Sequence, residues 1–108
     1  MKSQYERAIE LYSKAIGKLK HEYLKELDPT NCIYFNNRSQ AYFYLENFEQ
    51  SLFDCNHSIA LNPSYIKALN NKVQVLLEMG ETSEALSLLT DIQHQYPNEI
   101  SEQLLQKM

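Results

Sequence analysis

Glycine and proline are scarce in this 108-residue chain, two of the first and three of the second, which argues against a disordered, collagen-like or all-β polypeptide. With 44% apolar residues, the composition suits long helices broken at few places. Cysteine is sparse too. Cys32 and Cys55 show no metal or redox spacing, and both fall at apolar positions of predicted helices, so they read as reduced core residues. Positive charge is not in excess. The net charge is −4, and Lys14, Lys18, Lys20 and Lys25 alternate with Glu10, Glu22 and Glu26, as on a solvated helix face. Nucleic acid is therefore not an expected partner. No apolar run approaches membrane length, and Met1-Lys2-Ser3-Gln4-Tyr5 lacks the apolar core of a signal peptide. The expectation is a cytoplasmic chain without a membrane partner. His21, His57 and His94 belong to no triad or metal-ligand arrangement, and Asp54 and His57 stand one helical turn apart, as in a surface pair. No enzymatic activity, metal or cofactor is expected. The glycosylation sequons Asn37-Arg38-Ser39 and Asn56-His57-Ser58 lie inside predicted helices and read as chance matches.

What the chain does contain is a phrase said twice. Asn36-Asn37-Arg38-Ser39-Gln40 returns 34 residues on as Asn70-Asn71-Lys72-Val73-Gln74, and Pro29, Pro63 and Pro97 keep the same step. A unit of this length holding two amphipathic helices is a helical hairpin, which cannot bury its apolar stripe alone and must stack on neighbours.

Taken in order, Gln4 to Leu27 carries apolar residues at three- and four-residue steps, which predicts one long helix. Asp28-Pro29-Thr30-Asn31 stops it, with Thr30 or Asn31 able to cap the next. A second helix is predicted from about Cys32 to Leu45, burying Phe35, Tyr42 and Leu45 around a small Ser39. Asn47 and Gln50 have capping-box spacing at the start of a third helix, Phe48 to Leu61, whose inner face is Ser51, Leu52, Cys55, Ser58 and Ile59. Asn62-Pro63-Ser64 precedes a fourth, Tyr65 to Met79, ended by Gly80, with Leu69, Val73, Leu76 and Leu77 apolar. A fifth, Ser83 to Gln95, places Ala85, Leu86, Leu88, Leu89 and Ile92 inside, and Glu99 to Met108 reads as a sixth, capping helix.

These residues resemble the tetratricopeptide repeat family. Phe35, Ser39, Tyr42, Phe48, Ser51, Ser58 and Pro63 match its pattern in one unit, and Leu69, Leu76, Gly80, Ala85, Leu89 and Pro97 match it in the next. Tyr5, Ala8, Tyr12 and Ala15 are similar to the second helix of a preceding repeat. The resemblance implies an all-α fold, a right-handed superhelical stack of antiparallel hairpins of about five helices plus the capping helix. It divides a single domain, 1–108, into an incomplete first repeat (4–29), two repeats (30–63 and 64–97) and the cap (98–108). Val73 and Ile92 replace small residues and Thr82 an aromatic one, so looser packing is expected in the last repeat. The half-unit at the start is expected to mean either an excerpt of a larger protein or a partner, a second copy included, over Tyr5, Ile9, Tyr12 and Ile16.

In this family the first helix of each unit lines a concave groove, which would here present Ile33, Asn36, Asn37, Gln40, Phe43 and Tyr44 from one helix and Lys67, Asn70, Asn71, Gln74, Leu77 and Glu78 from another. The doubled phrase then becomes ladders of amides, Asn36 beside Asn70, Asn37 beside Asn71 and Gln40 beside Gln74, able to donate to and accept from an extended peptide. Co-chaperone members hold chaperone C-terminal tails in a two-carboxylate clamp. Asn37 and Lys67 match two of its positions, while Asn71 stands where an arginine is expected and the first-repeat pair is missing. The resemblance thus implies a non-enzymatic peptide-binding module with an incomplete clamp. The alternatives are a self-assembling or docking segment of a larger protein, and an accessory segment of an enzyme such as an immunophilin-type prolyl isomerase.

Overall fold

Polar breaks at short intervals divide the chain into helices. The computed structural model describes residues 3–17 and 31–97, and within them runs α1 (Gln4–Gly17), α2 (Asn31–Tyr44), α3 (Phe48–Leu61), α4 (Ile66–Glu78) and α5 (Thr82–Gln95). No strand occurs among the described residues. The expected continuation of the first helix to Leu27 and the sixth helix lie outside them. None of these helices is long and apolar enough to cross a membrane.

Helices α2 and α3 form an antiparallel hairpin whose register is fixed by hydroxyls. The Ser39 hydroxyl donates to the Ser51 carbonyl at 2.6 Å, the Ser51 hydroxyl returns a bond to the Ser39 carbonyl at 2.8 Å, and the Ser58 hydroxyl donates to the Cys32 carbonyl at 2.7 Å. All three serines are fully enclosed. Their smallness lets the backbones approach, and at that approach a buried hydroxyl finds a carbonyl, so it is not left unpaired. The second hairpin, α4 with α5, is held instead by apolar packing among Leu69, Val73, Leu76, Ala85, Leu89 and Ile92, with Leu52 and Ile59 of α3 against them. Val73 and Ile92 do not loosen this hairpin as expected. They are 0% and 2% exposed, because Ala85 stays small at the crossing and leaves them room.

Both first helices of the hairpins end in the same turn. The Gly80 N–H donates to the Leu77 carbonyl and the Glu81 N–H to the Leu76 carbonyl; 34 residues earlier the Glu46 N–H donates to the Phe43 carbonyl and the Asn47 N–H to the Tyr42 carbonyl. This paired bonding needs a left-handed residue just past the helix. Gly80 supplies it at φ 81°, whereas Glu46 adopts φ 62° with a side chain attached, which is strained for a residue bearing a Cβ. Asn47 enters α3 directly from this turn and makes no side-chain capping bond, so the capping box expected from Gln50 is not used. Leu45, expected inside, is 37% exposed because α2 has already ended. Leu86 is 46% exposed: the inner stripe of α5 runs through Ala85, Leu89 and Ile92, and one residue turns a helix by about 100°.

Arg38 ties three helices together. Its Nε donates to Asp54 Oδ2 at 2.7 Å and its Nη2 to Asp54 Oδ1 at 2.8 Å, while Nη1 reaches Ser13 Oγ on α1 at 3.0 Å. The hydrogen bond to Asp54 pushes the guanidinium pKa above its ordinary value. Asp54 is wholly buried rather than one half of a surface pair with His57, whose ring stacks on Phe35 at 4.0 Å between centroids. The Arg38 guanidinium lies over the Phe35 ring, 5.4 Å from its centroid. Removing one member of a buried ion pair strands the other charge. Asp54→Ala is therefore expected to lower the unfolding free energy by about 3 to 5 kcal/mol in urea titration. The double variant Arg38→Met with Asp54→Leu should recover most of that loss.

Candidate functional site

The two copies of the doubled phrase meet side by side on α2 and α4. Between them lies an open concavity of about 320 Å³ lined by Asn36, Asn37, Gln40, Lys67, Asn70, Asn71 and Gln74. Six of these seven residues are amides, the seventh is an ammonium, and among the described residues the lining holds no carboxylate. An anion entering it meets donors and one full positive charge without an opposing acid.

The amides do not form the ladders expected of them. Asn71 Nδ2 donates to Asn36 Oδ1 at 3.2 Å and to Ser39 Oγ at 2.8 Å, so the contact between copies is diagonal. Asn36 and Asn71 are 1% and 5% exposed. They form the floor and are committed to joining the hairpins, and Asn71 has both amide hydrogens engaged inside the protein. Asn37, Gln40, Lys67 and Gln74 remain at least partly exposed along the walls. The reason lies in helix geometry: adjacent residues of a phrase point about 100° apart, so Asn36 and Asn37 cannot both face the same neighbour.

Five other residues expected in the groove lie outside this concavity, Leu77 among them, packed against the apolar core of the second hairpin. Ile33 is exposed and outside this concavity. Phe43 and Tyr44 line a separate concavity with Glu46, Phe48 and Glu78 at the end of the stack. Tyr44 also borders a third, with Tyr5, Ala8, Tyr12 and Ala41, which shares Asn37 and Gln40 with the polar groove. Tyr5 stacks on Tyr44 at 5.0 Å between centroids. Of the apolar strip expected to be bare on the first helix, Ile16 is buried within the chain itself, and Leu11 is the large apolar residue of α1 that stands 67% exposed.

Sequence reasoning missed Arg38 and Asp54 as partners. No spacing rule pairs residues on different helices, and the one available signal was that Arg38 belongs to the repeated phrase while Asp54 faces it only after the hairpin closes. Cys55 is fully enclosed beside them, and burial pushes its thiol up to about 11, so it stays protonated and unreactive at neutral pH.

A family model described as tetratricopeptide repeat matches residues 34–65. Human serine/threonine-protein phosphatase 5 is 37% identical over 82 residues, which is 76% of this chain and 15% of the phosphatase. The chain thus spans about a seventh of that relative's length. Among solved structures, the second TPR of Spaghetti (RPAP3) bound to HSP90 peptide SRMEEVD is 30% identical, with a TM-score of 0.67 over 82% of this chain and 73% of that one. The second TPR domain of human RPAP3 in complex with HSP70 peptide SGPTIEEVD is 27% identical, with a TM-score of 0.75 over 96% of this chain and 78% of that one.

Floor and wall residues are separable by stability. Asn71→Ala should cost about 1 to 3 kcal/mol in chemical denaturation, since it leaves buried groups on Asn36 and Ser39 without their donor. Gln40→Ala, on the exposed wall, should stay within about 0.5 kcal/mol of the parent.

Proposed function

The chain belongs to the tetratricopeptide repeat family, in pattern with its co-chaperone-type members, and we propose that it is a non-enzymatic, cytoplasmic module that captures the acidic C-terminal end of a partner protein in the polar groove between α2 and α4. The observation that carries this reading is the groove lining of six amides and Lys67, with no carboxylate among the described residues. Its chemistry is complementary to a peptide ending in carboxylates, and both peptides seen with the related domains end in EEVD.

Lys67 supplies the charge and the exposed amides supply orientation. Asn37 and Gln40 approach the peptide from α2, and Gln74 approaches from the α4 side. Each amide offers a donor to a carboxylate or backbone carbonyl and an acceptor to a backbone N–H. The position where co-chaperone relatives are expected to carry arginine holds Asn71, which is spent on Asn36 and Ser39. The groove therefore grips a carboxylate with one ammonium and lacks a second, bidentate cation. Binding is consequently weak and salt-sensitive, with selectivity coming more from amides than from charge.

Calorimetric titration with SRMEEVD at low and moderate salt tests this. The expected result is binding that falls as salt is raised, about tenfold or more weaker in Lys67→Glu and weakened less in Asn37→Ala. Unchanged affinity in both variants would remove the groove as the site.

A further inference from the structure

At the end of the stack opposite Lys67, where α2 and α4 terminate, a second concavity of about 240 Å³ is lined by Phe43, Tyr44, Glu46, Phe48 and Glu78. Its chemistry is the reverse of the polar groove: three aromatic rings, two carboxylates and, among the described residues, no cation in the lining. From this composition we propose that it is a separate site for the basic side chain, arginine or lysine, of a partner polypeptide.

The rings are set as walls of a corner. Phe43 meets Tyr44 edge to face, with centroids 5.8 Å apart and planes at 84°, and meets Phe48 at 5.6 Å and 64°. Tyr44 is backed by Tyr5, which stacks on it at an interplanar angle of 21°, so its ring is held in place although it is 62% exposed. A cation beside such rings is attracted by their quadrupoles, and this attraction is greater where the site also carries negative charge. Glu46 and Glu78 supply that charge, and both are exposed.

Glu46 supplies an independent argument. It occupies the left-handed position whose counterpart in the next repeat is Gly80, at φ 62° against 81°. The turn is the same in both, so glycine serves the fold at this position and glutamate works against it. Strain kept at a residue whose carboxylate lines an aromatic corner points to a use for that carboxylate. Phe43 and Phe48 packing alone would account for the hairpin turn, but would not call for glutamate at its left-handed residue.

The test uses the full chain and two small probes, acetyl-Gly-Arg-Gly-amide and its neutral analogue with citrulline in place of arginine, followed through the ring-proton resonances of Phe43, Tyr44 and Phe48 at low salt. The arginine probe is expected to shift them saturably, and the citrulline probe to leave them in place. Tyr44→Ala and Glu78→Gln should each weaken the arginine response about threefold to tenfold. Glu46→Gly should weaken it similarly while raising Tm, since it relieves the turn as it removes the charge. Equal response to both probes, response to neither, or a Glu46→Gly chain that is more stable yet binds arginine as before would each overturn the proposal. Lys67→Glu lies outside this corner and should leave the arginine response in place, which keeps the test independent of the acidic-peptide reading.

Discussion

One amide fixes the geometry on which the groove depends. Asn71 donates both of its hydrogens across the junction between hairpins, to Asn36 and to the Ser39 hydroxyl. Ser39 in turn donates to the Ser51 carbonyl. A chain of hydrogen bonds therefore runs from α4 through α2 to α3. Buried polar groups of this kind are expensive when unpaired and specify one register when paired. Sliding α4 along α2 by one residue would break both Asn71 bonds, so the groove walls keep their positions relative to one another.

The two hairpins reach rigidity by different chemistry. In the first, the half-buried Arg38 and the buried Asp54 form a bidentate pair that also reaches Ser13 on α1. One repeat period later the corresponding residues are Lys72 and Leu88, and the second hairpin closes around Leu69, Val73, Leu76, Leu89 and Ile92. The exchange follows from what each hairpin must touch. The first is packed on both sides, by α1 and by α4, and a forked, charged anchor gives direction to three helices at once. In the second, α5 meets α4, and close apolar packing suffices.

Much of this was legible in the residues. The 34-residue period, the breaks near Pro63 and Gly80, and the small residues at the crossings placed α2 to α5 within a residue or two of where they lie. Period and turn chemistry are local, so a linear reading captures them. The groove was legible as a region, and seven of its twelve expected residues line the concavity found there. What the pattern did not tell was which amide faces a peptide and which faces the next helix. Asn36 and Asn37 are identical in type and adjacent in sequence, and the difference between floor and wall is a rotation of about 100° that only the packed hairpins define. The burial of Asp54 was hidden for a similar reason, since a carboxylate on an otherwise mixed helix face reads as solvated until its partner from another helix is known. Glu46 was unremarkable in the sequence because the left-handed turn it occupies is recognised by glycine, which appears only in the second copy.

The central claim is that the amide-lined groove between α2 and α4 receives an acidic peptide terminus. It is tested most directly by solving the structure of the chain with SRMEEVD bound. The account predicts the terminal carboxylate within hydrogen-bond distance of Lys67 Nζ, with Asn37 or Gln40 bonded to the peptide backbone and the Asn71 bonds to Asn36 and Ser39 intact. A peptide seated on the outer faces of α3 and α5, or an Asn71 swung out of its bonds to hold the carboxylate, would contradict it.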